Sequence, residues 1–187
     1  MEWDRAEVIG RLDYLRRTDP GLTRFGSAAH RYLLNPPLAE HDVTAFEARH
    51  GVSLPDDYRA FLIDEVGDGG AGPFAGVFRL DRSDRPACHR EDLLPGFLAG
   101  AFPHEVPWNE LGDGGPQSED DYFDPSRIRG SLNLSNQGCG YMVRLVLNGP
   151  QRGTLWEDGR SGDMGITPFR PDFATWYLEW LRDPMPR

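Results

Sequence analysis

Apolar residues recur at helical spacing in the first third of the chain and alternate in the last third. Over residues 2–17, Trp3, Ala6, Ile9, Leu12 and Leu15 return every three positions, which predicts a helix. Asp19-Pro20-Gly21 ends it. Residues 22–37 are short and mixed, with a brief helical turn expected over 27–32. A second helix is expected over 39–50, with Val43, Phe46 and Ala45 inward and Gly51 as its stop. A third begins near Pro55, where a missing N–H does no harm. Asp56 and Asp57 suit its positive end. Tyr58, Phe61, Leu62 and Val66 form its apolar stripe, and glycines from Gly67 to Gly72 stop it.

The period then changes. Residues 77–80 suggest a strand, and 91–99 are ambiguous around Pro95-Gly96. Residues 103–126 are rich in Pro, Gly, Asp and Glu and predict a long loop. Three strands are expected at 131–134, 141–147 and 153–157. In the middle one Tyr141, Val143, Leu145 and Leu147 alternate with Met142, Arg144 and Val146, so one face is mainly apolar. Asn148-Gly149 is a turn signal, weakened by Pro150. A helix over 172–181 carries Phe173, Trp176, Tyr177 and Trp180 on an aromatic face. Helices, then strands, then a helix predict a single-domain α+β fold with a mixed or antiparallel sheet flanked by helices. Residues 1–21 read as an N-terminal helical extension to a domain over 22–187.

Composition narrows the function. The chain has 187 residues, a net charge of -10 and a pI near 4.9. Such a surface repels nucleic acid and anionic membranes and steers a basic partner inward. All 20 basic residues are arginine. Without lysine, Schiff-base chemistry, a Walker-type phosphate lysine and a Ser-Lys dyad are excluded. Two distant cysteines, Cys88 and Cys139, match no metal spacing and suit a reduced cytoplasm. No signal core or membrane-length apolar window occurs, so a cytoplasmic protein is expected.

The segments Phe46-Glu47, Leu54-Pro55-Asp56-Asp57-Tyr58-Arg59-Ala60-Phe61-Leu62 and Gly67 to Pro73 together resemble the SUKH superfamily. That family includes the Smi/Knr-type cell-wall-assembly regulators. Phe25-Gly26, His30-Arg31-Tyr32, Gly138-Cys139-Gly140, Gly153-Thr154-Leu155-Trp156 and the aromatic helix extend the likeness over about 22–181. The resemblance implies a compact α+β scaffold without a shared catalytic residue. It also implies a binding role: bacterial members are typically immunity proteins that neutralise a neighbouring toxin by direct contact. The acidic 103–126 stretch falls outside the motifs and reads as an insert.

Candidate chemistry is sparse. The run Asp68-Gly69-Gly70-Ala71-Gly72 follows a helix instead of preceding one, which is the wrong dipole end for a phosphate. Cys139 would need a base, and all five histidines are distant in sequence. Cys88-His89 lacks a second ligand pair, so no metal is assigned. Residues 157–163 lack calcium-loop spacing and read as a solvated hairpin loop. No cofactor is assigned. The remaining candidate is a partner-binding set: Glu119, Asp120 and Asp121 beside Tyr122 and Phe123, with Glu157 and Asp158. Charges there would steer and aromatics would anchor. The expected function is a non-enzymatic immunity protein whose partner is a toxin with a basic surface. The alternatives are a regulatory adaptor for an endogenous partner and a small hydrolase or transferase using Cys139.

Overall fold

A computed structural model describes residues 3–81, 91–109 and 118–182. Six α-helices and one four-stranded sheet make a single α+β fold among these residues. The sheet is an antiparallel meander in the order β1 (Ser131–Gly138), β2 (Tyr141–Val146), β3 (Leu155–Asp158) and β4 (Ile166–Arg170).

Helix α1 (Arg5–Thr18) starts where the Asp4 carboxylate accepts a hydrogen bond from the Glu7 N–H at 2.9 Å. Its buried residues are Val8, Leu12 and Leu15. Ala6 is exposed and Ile9 only half-buried, contrary to the every-third-residue reading. Each three-residue step falls about 60° short of a full turn, so a strict three-residue row winds off the buried face. Trp3, just before α1, packs edge-on against Phe61, Phe173 and Tyr177. The N-terminal segment therefore shares the main core.

The short α2 (Ser27–His30) leads to α3 (Glu40–His50), which buries Val43 and Phe46 and leaves Ala45 exposed. Gly51 ends α3 at φ 64, a conformation that favours glycine. Then α4 (Asp56–Ala60) follows Pro55 and runs into a π-helical turn, Phe61–Glu65. Tyr58, Phe61, Leu62 and Val66 are buried as the stripe predicted. Arg59 ties α4 back to Glu40 and Glu47 of α3. The glycine run after it makes a reversal pressed against the chain. A methyl group on Gly67 would lie 2.3 Å from the Asn35 carbonyl oxygen.

Residues 77–80 form no strand ladder. Val77 bridges Gly70, the Phe78 N–H donates to Leu134, and the Leu80 N–H donates to the Asp68 carboxylate at 2.7 Å. Changing partners at each step breaks the ladder. The described parts of 103–126 are also more ordered than a loop. Trp108 pairs with Ile166 through two backbone hydrogen bonds. Helix α5 (Glu119–Tyr122) and a 3-10 turn, Pro125–Ile128, follow.

The middle of the sheet is buried on both faces. Met142 through Leu147 are all buried, so both faces of β2 are covered, Arg144 included. Register places Asn133, Arg144 and Trp156 side by side. Over that row Phe102 meets the Trp156 ring at 5.1 Å. Arg144, 1% exposed, donates from Nε to the Ser131 hydroxyl at 2.8 Å and from Nη2 to the Ser131 carbonyl at 3.2 Å. A buried guanidinium survives only with such partners. Helix α6 (Phe173–Arg182) packs on α1, α4 and β4 with its aromatic face inward. Arg11 of α1 donates to the terminal carbonyls of Leu181 and Arg182, satisfying groups that α6 itself cannot.

Asp19 and His30 are two of the buried polar groups that carry pH dependence. Asp19 accepts hydrogen bonds from the Thr23 and Arg24 N–H groups and from the Thr23, Ser27 and Tyr32 hydroxyls. Burial pushes its carboxyl up, but these donors outweigh burial and hold it well below its usual 3.8. His30 accepts from the Tyr32 N–H at Nδ1 and packs edge-on to Tyr32 and Trp180. Burial pushes its pKa from 6.5 down to about 4. Asp19→Asn is expected to cost about 2 kcal/mol at neutral pH, because an amide must face several donors with one acceptor. A depressed carboxyl stabilises above its unfolded value. The gap between parent and variant should therefore close as pH falls below about 4, read by urea unfolding. Parent stability should also fall between pH 6.5 and about 4, where unfolded His30 takes a proton that folded His30 refuses. His30→Gln should flatten that slope.

Candidate functional site

One end of the sheet gathers three pieces: the β1–β2 turn, the Gly159–Gly165 connection and α5. Cys139 and Gly140 form the β1–β2 turn at φ 53 and 84, the positive pair that a tight hairpin requires. The Ser161 hydroxyl donates to the Cys139 carbonyl at 2.9 Å and so joins the two hairpins.

Beneath this surface lies a fork. Arg160 grips Asp158 through two bonds, Nε to Oδ1 at 2.7 Å and Nη2 to Oδ2 at 2.8 Å. Its Nη1 donates to the Tyr122 carbonyl at 3.0 Å and to the Asp124 carbonyl at 3.4 Å. These carbonyls lie at the C-terminal end of α5, where a cation fits the dipole. Burial raises the Asp158 carboxyl, yet the Arg160 fork outweighs it and the net shift is downward. Tyr122 is the second fastening. Its hydroxyl donates to Asn109 Oδ1 at 2.9 Å and accepts from the Gly165 N–H at 3.1 Å. Burial raises its pKa, which keeps the proton on this donor. Trp108 stacks on the Tyr122 ring at 5.3 Å, and Arg127 lies 4.9 Å above Trp108. His104 meets the Arg127 carbonyl through Nε2 at 2.8 Å. Burial lowers its pKa and favours the neutral ring.

The proposed contact residues thus divide. Glu119, Asp120 and Asp121 are exposed and have no ion-pair partner among the described residues. Phe123 is 42% exposed, at 5.6 Å from the Arg160 guanidinium. Tyr122 and Asp158 are buried parts of the framework, so they present nothing to a partner. Residues 157–163 are accordingly not a wholly solvated loop, since Asp158 and Arg160 sit inside. Glu157 is half-buried on β3 and accepts from Gln137 at 2.7 Å. Sequence reasoning missed Arg160, Asn109 and exposed Met164. Only the close Asp158-Gly159-Arg160 spacing hinted at the fork.

Cys139 is exposed, and its thiol has no hydrogen-bonded base among the described residues. Cys88-His89 lies outside the described residues. Among the described residues, no group of three or more His, Cys, Asp or Glu could hold a metal ion, and no helix is long and apolar enough to cross a membrane. No family model matches the chain, and no curated protein matches it significantly.

Arg160→Met should destabilise the protein by about 3 kcal/mol, because it strands the buried Asp158 charge. Adding Asp158→Leu should recover only part of that loss, since the Tyr122 and Asp124 carbonyls still lack their donor. Urea unfolding of the two variants reads both effects.

Proposed function

We propose that this protein is a non-enzymatic binding module, an immunity protein that neutralises a co-encoded bacterial toxin in the cytoplasm by direct contact. One observation carries the reading. Helix α5 presents Glu119, Asp120 and Asp121 to solvent without ion-pair partners among the described residues, with Phe123 beside them, on a buried framework that fixes their position. Unpaired surface carboxylates around an exposed ring suit a basic protein surface. The ring supplies contact energy, and the charges supply rate and register. The net charge of -10 adds long-range steering. The SUKH-like motifs of the first half support the same class of protein.

The mechanism is occlusion. The acidic end settles into the basic cleft where the toxin would bind its substrate. Phe123 leaves water at the contact, and the carboxylates meet the guanidinium or ammonium groups of the cleft. Fixing α5 beforehand lowers the ordering cost of binding.

The test uses the product of the adjacent gene, with association followed by interferometry. The two proteins should bind, and the on-rate should fall between about 20 and about 200 mM salt. Reversal of Glu119, Asp120 and Asp121 to arginine should slow association roughly tenfold at low salt and lower the unfolding midpoint by no more than a few degrees, the cost of losing the acidic first turn of α5. A product that does not bind sinks the immunity reading. Binding with an unaltered on-rate removes α5 as the docking element. A partner encoded elsewhere that binds with the same charge dependence supports the adaptor role instead.

A further inference from the structure

An open groove of about 600 Å³ runs between β4 and α6. Phe74, Phe169, Trp176 and Trp180 line it with aromatic surface. Arg170, Glu179 and Arg182 provide its charge.

Phe74 sits at φ 55, a conformation disfavoured for a bulky residue. Its surroundings hold it there. The Ser135 hydroxyl donates to the Pro73 carbonyl at 3.2 Å and the Gly76 carbonyl at 2.7 Å. The Ala75 N–H donates to Asn136 at 3.2 Å. Gly26 backs directly onto the turn, and a methyl group there would fall 1.6 Å from the Phe74 oxygen. The chain thus keeps a large ring where glycine would be relaxed. That ring lies 6.4 Å from Phe169, and on another side 6.4 Å from Phe25, which is 50% exposed.

The charges differ from those at the α5 end. Arg170 stacks 4.5 Å over Phe169 and uses Nε on Glu179 and Nη1 on the Phe169 carbonyl, both at 2.8 Å. The other three N–H donors of its guanidinium have no partner among the described residues. Arg182 has no ion-pair partner among the described residues. Among the described lining residues, two guanidinium groups stand against one carboxylate, which makes this lining positive on a chain of net charge -10.

We propose that the groove is a docking site for an acidic peptide segment of a partner protein that carries an aromatic or branched apolar side chain. The apolar side chain lies on the half-buried Phe74 and Phe169 rings, with the edges of the buried Trp176 and Trp180 as the floor. Flanking carboxylates meet Arg182 and the unused donors of Arg170, where guanidinium geometry favours paired contacts. Charge complementarity selects this occupant over a basic or neutral one. The site is separate from α5 and of opposite charge, so it stands whether or not α5 docks a toxin.

Calorimetry on the full chain tests it with two peptides, acetyl-Glu-Leu-Phe-Glu-amide and acetyl-Arg-Leu-Phe-Arg-amide. The acidic peptide should bind about tenfold tighter at low salt, and the difference should shrink as salt rises. Arg182→Glu should remove most of that preference. Phe74→Gly should weaken the acidic peptide at least about fivefold while leaving the unfolding midpoint close to the parent, because glycine accepts the positive φ. Equal affinity for both peptides overturns the proposal, as does binding of neither at about 1 mM. Binding that requires deletion of residues 183–187 would assign the groove to the chain's own end and also overturns it. A concentration-dependent dimer that the peptide cannot dissociate would assign it to a second copy, with the same consequence.

Discussion

Buried backbone that belongs to neither helix nor strand must still find hydrogen bonds, and in this chain buried or half-buried carboxylates provide many of them. Asp19 takes the Thr23 and Arg24 N–H groups after α1. Glu47 takes the Leu54 N–H between α3 and α4. Asp68 takes Leu80, Asp92 takes Asn133 of β1, and Asp57 takes Ala174 at the start of α6. Each pins one irregular segment to another element. Without these acceptors, long stretches between the helices and the sheet would have to stay at the surface. The fold can bury so much irregular chain because short acidic side chains reach into it.

That role divides the acidic residues into two populations. One group is committed inside, with depressed or partnered carboxyls such as Asp19 and Asp158. The other stands on the surface, as Glu119, Asp120 and Asp121 do on α5. The net charge counts both, but only the second group faces solvent. The fork of Arg160 on Asp158 links the populations, since the same guanidinium that neutralises a buried carboxylate also holds the carbonyls at the end of the exposed helix.

Local rules made the first half legible. The Gly51 stop, the Pro55 start and the Tyr58-to-Val66 stripe depend on neighbours within a few positions, and the structure contains all of them. The strands β1, β2 and β3 and helix α6 also follow from their patterns. What escaped depends on distant chain. Arg144 reads as an outward residue because alternation cannot reveal a second layer over the sheet. The strand β4 hides behind Thr167 and Pro168 in a five-residue span. At the candidate site, Glu119, Asp120, Asp121 and Phe123 are exposed as their chemistry suggested. Tyr122 was unreadable because its partners, Asn109 and Gly165, lie far along the chain, and Asp158 because the burial of its near neighbour Arg160 depends on the distant Tyr122 carbonyl.

The bonds from Arg11 to the end of α6 join positions about 170 residues apart, and Trp3 completes the same aromatic cluster with Phe173 and Tyr177. A ribosome makes α1 long before α6. The early helix therefore waits with its apolar side uncovered, and the core cannot close in the order of synthesis. Contacts so distant along the chain slow folding and prolong exposure of sticky intermediates. That delay sets a lag between the end of translation and the finished fold.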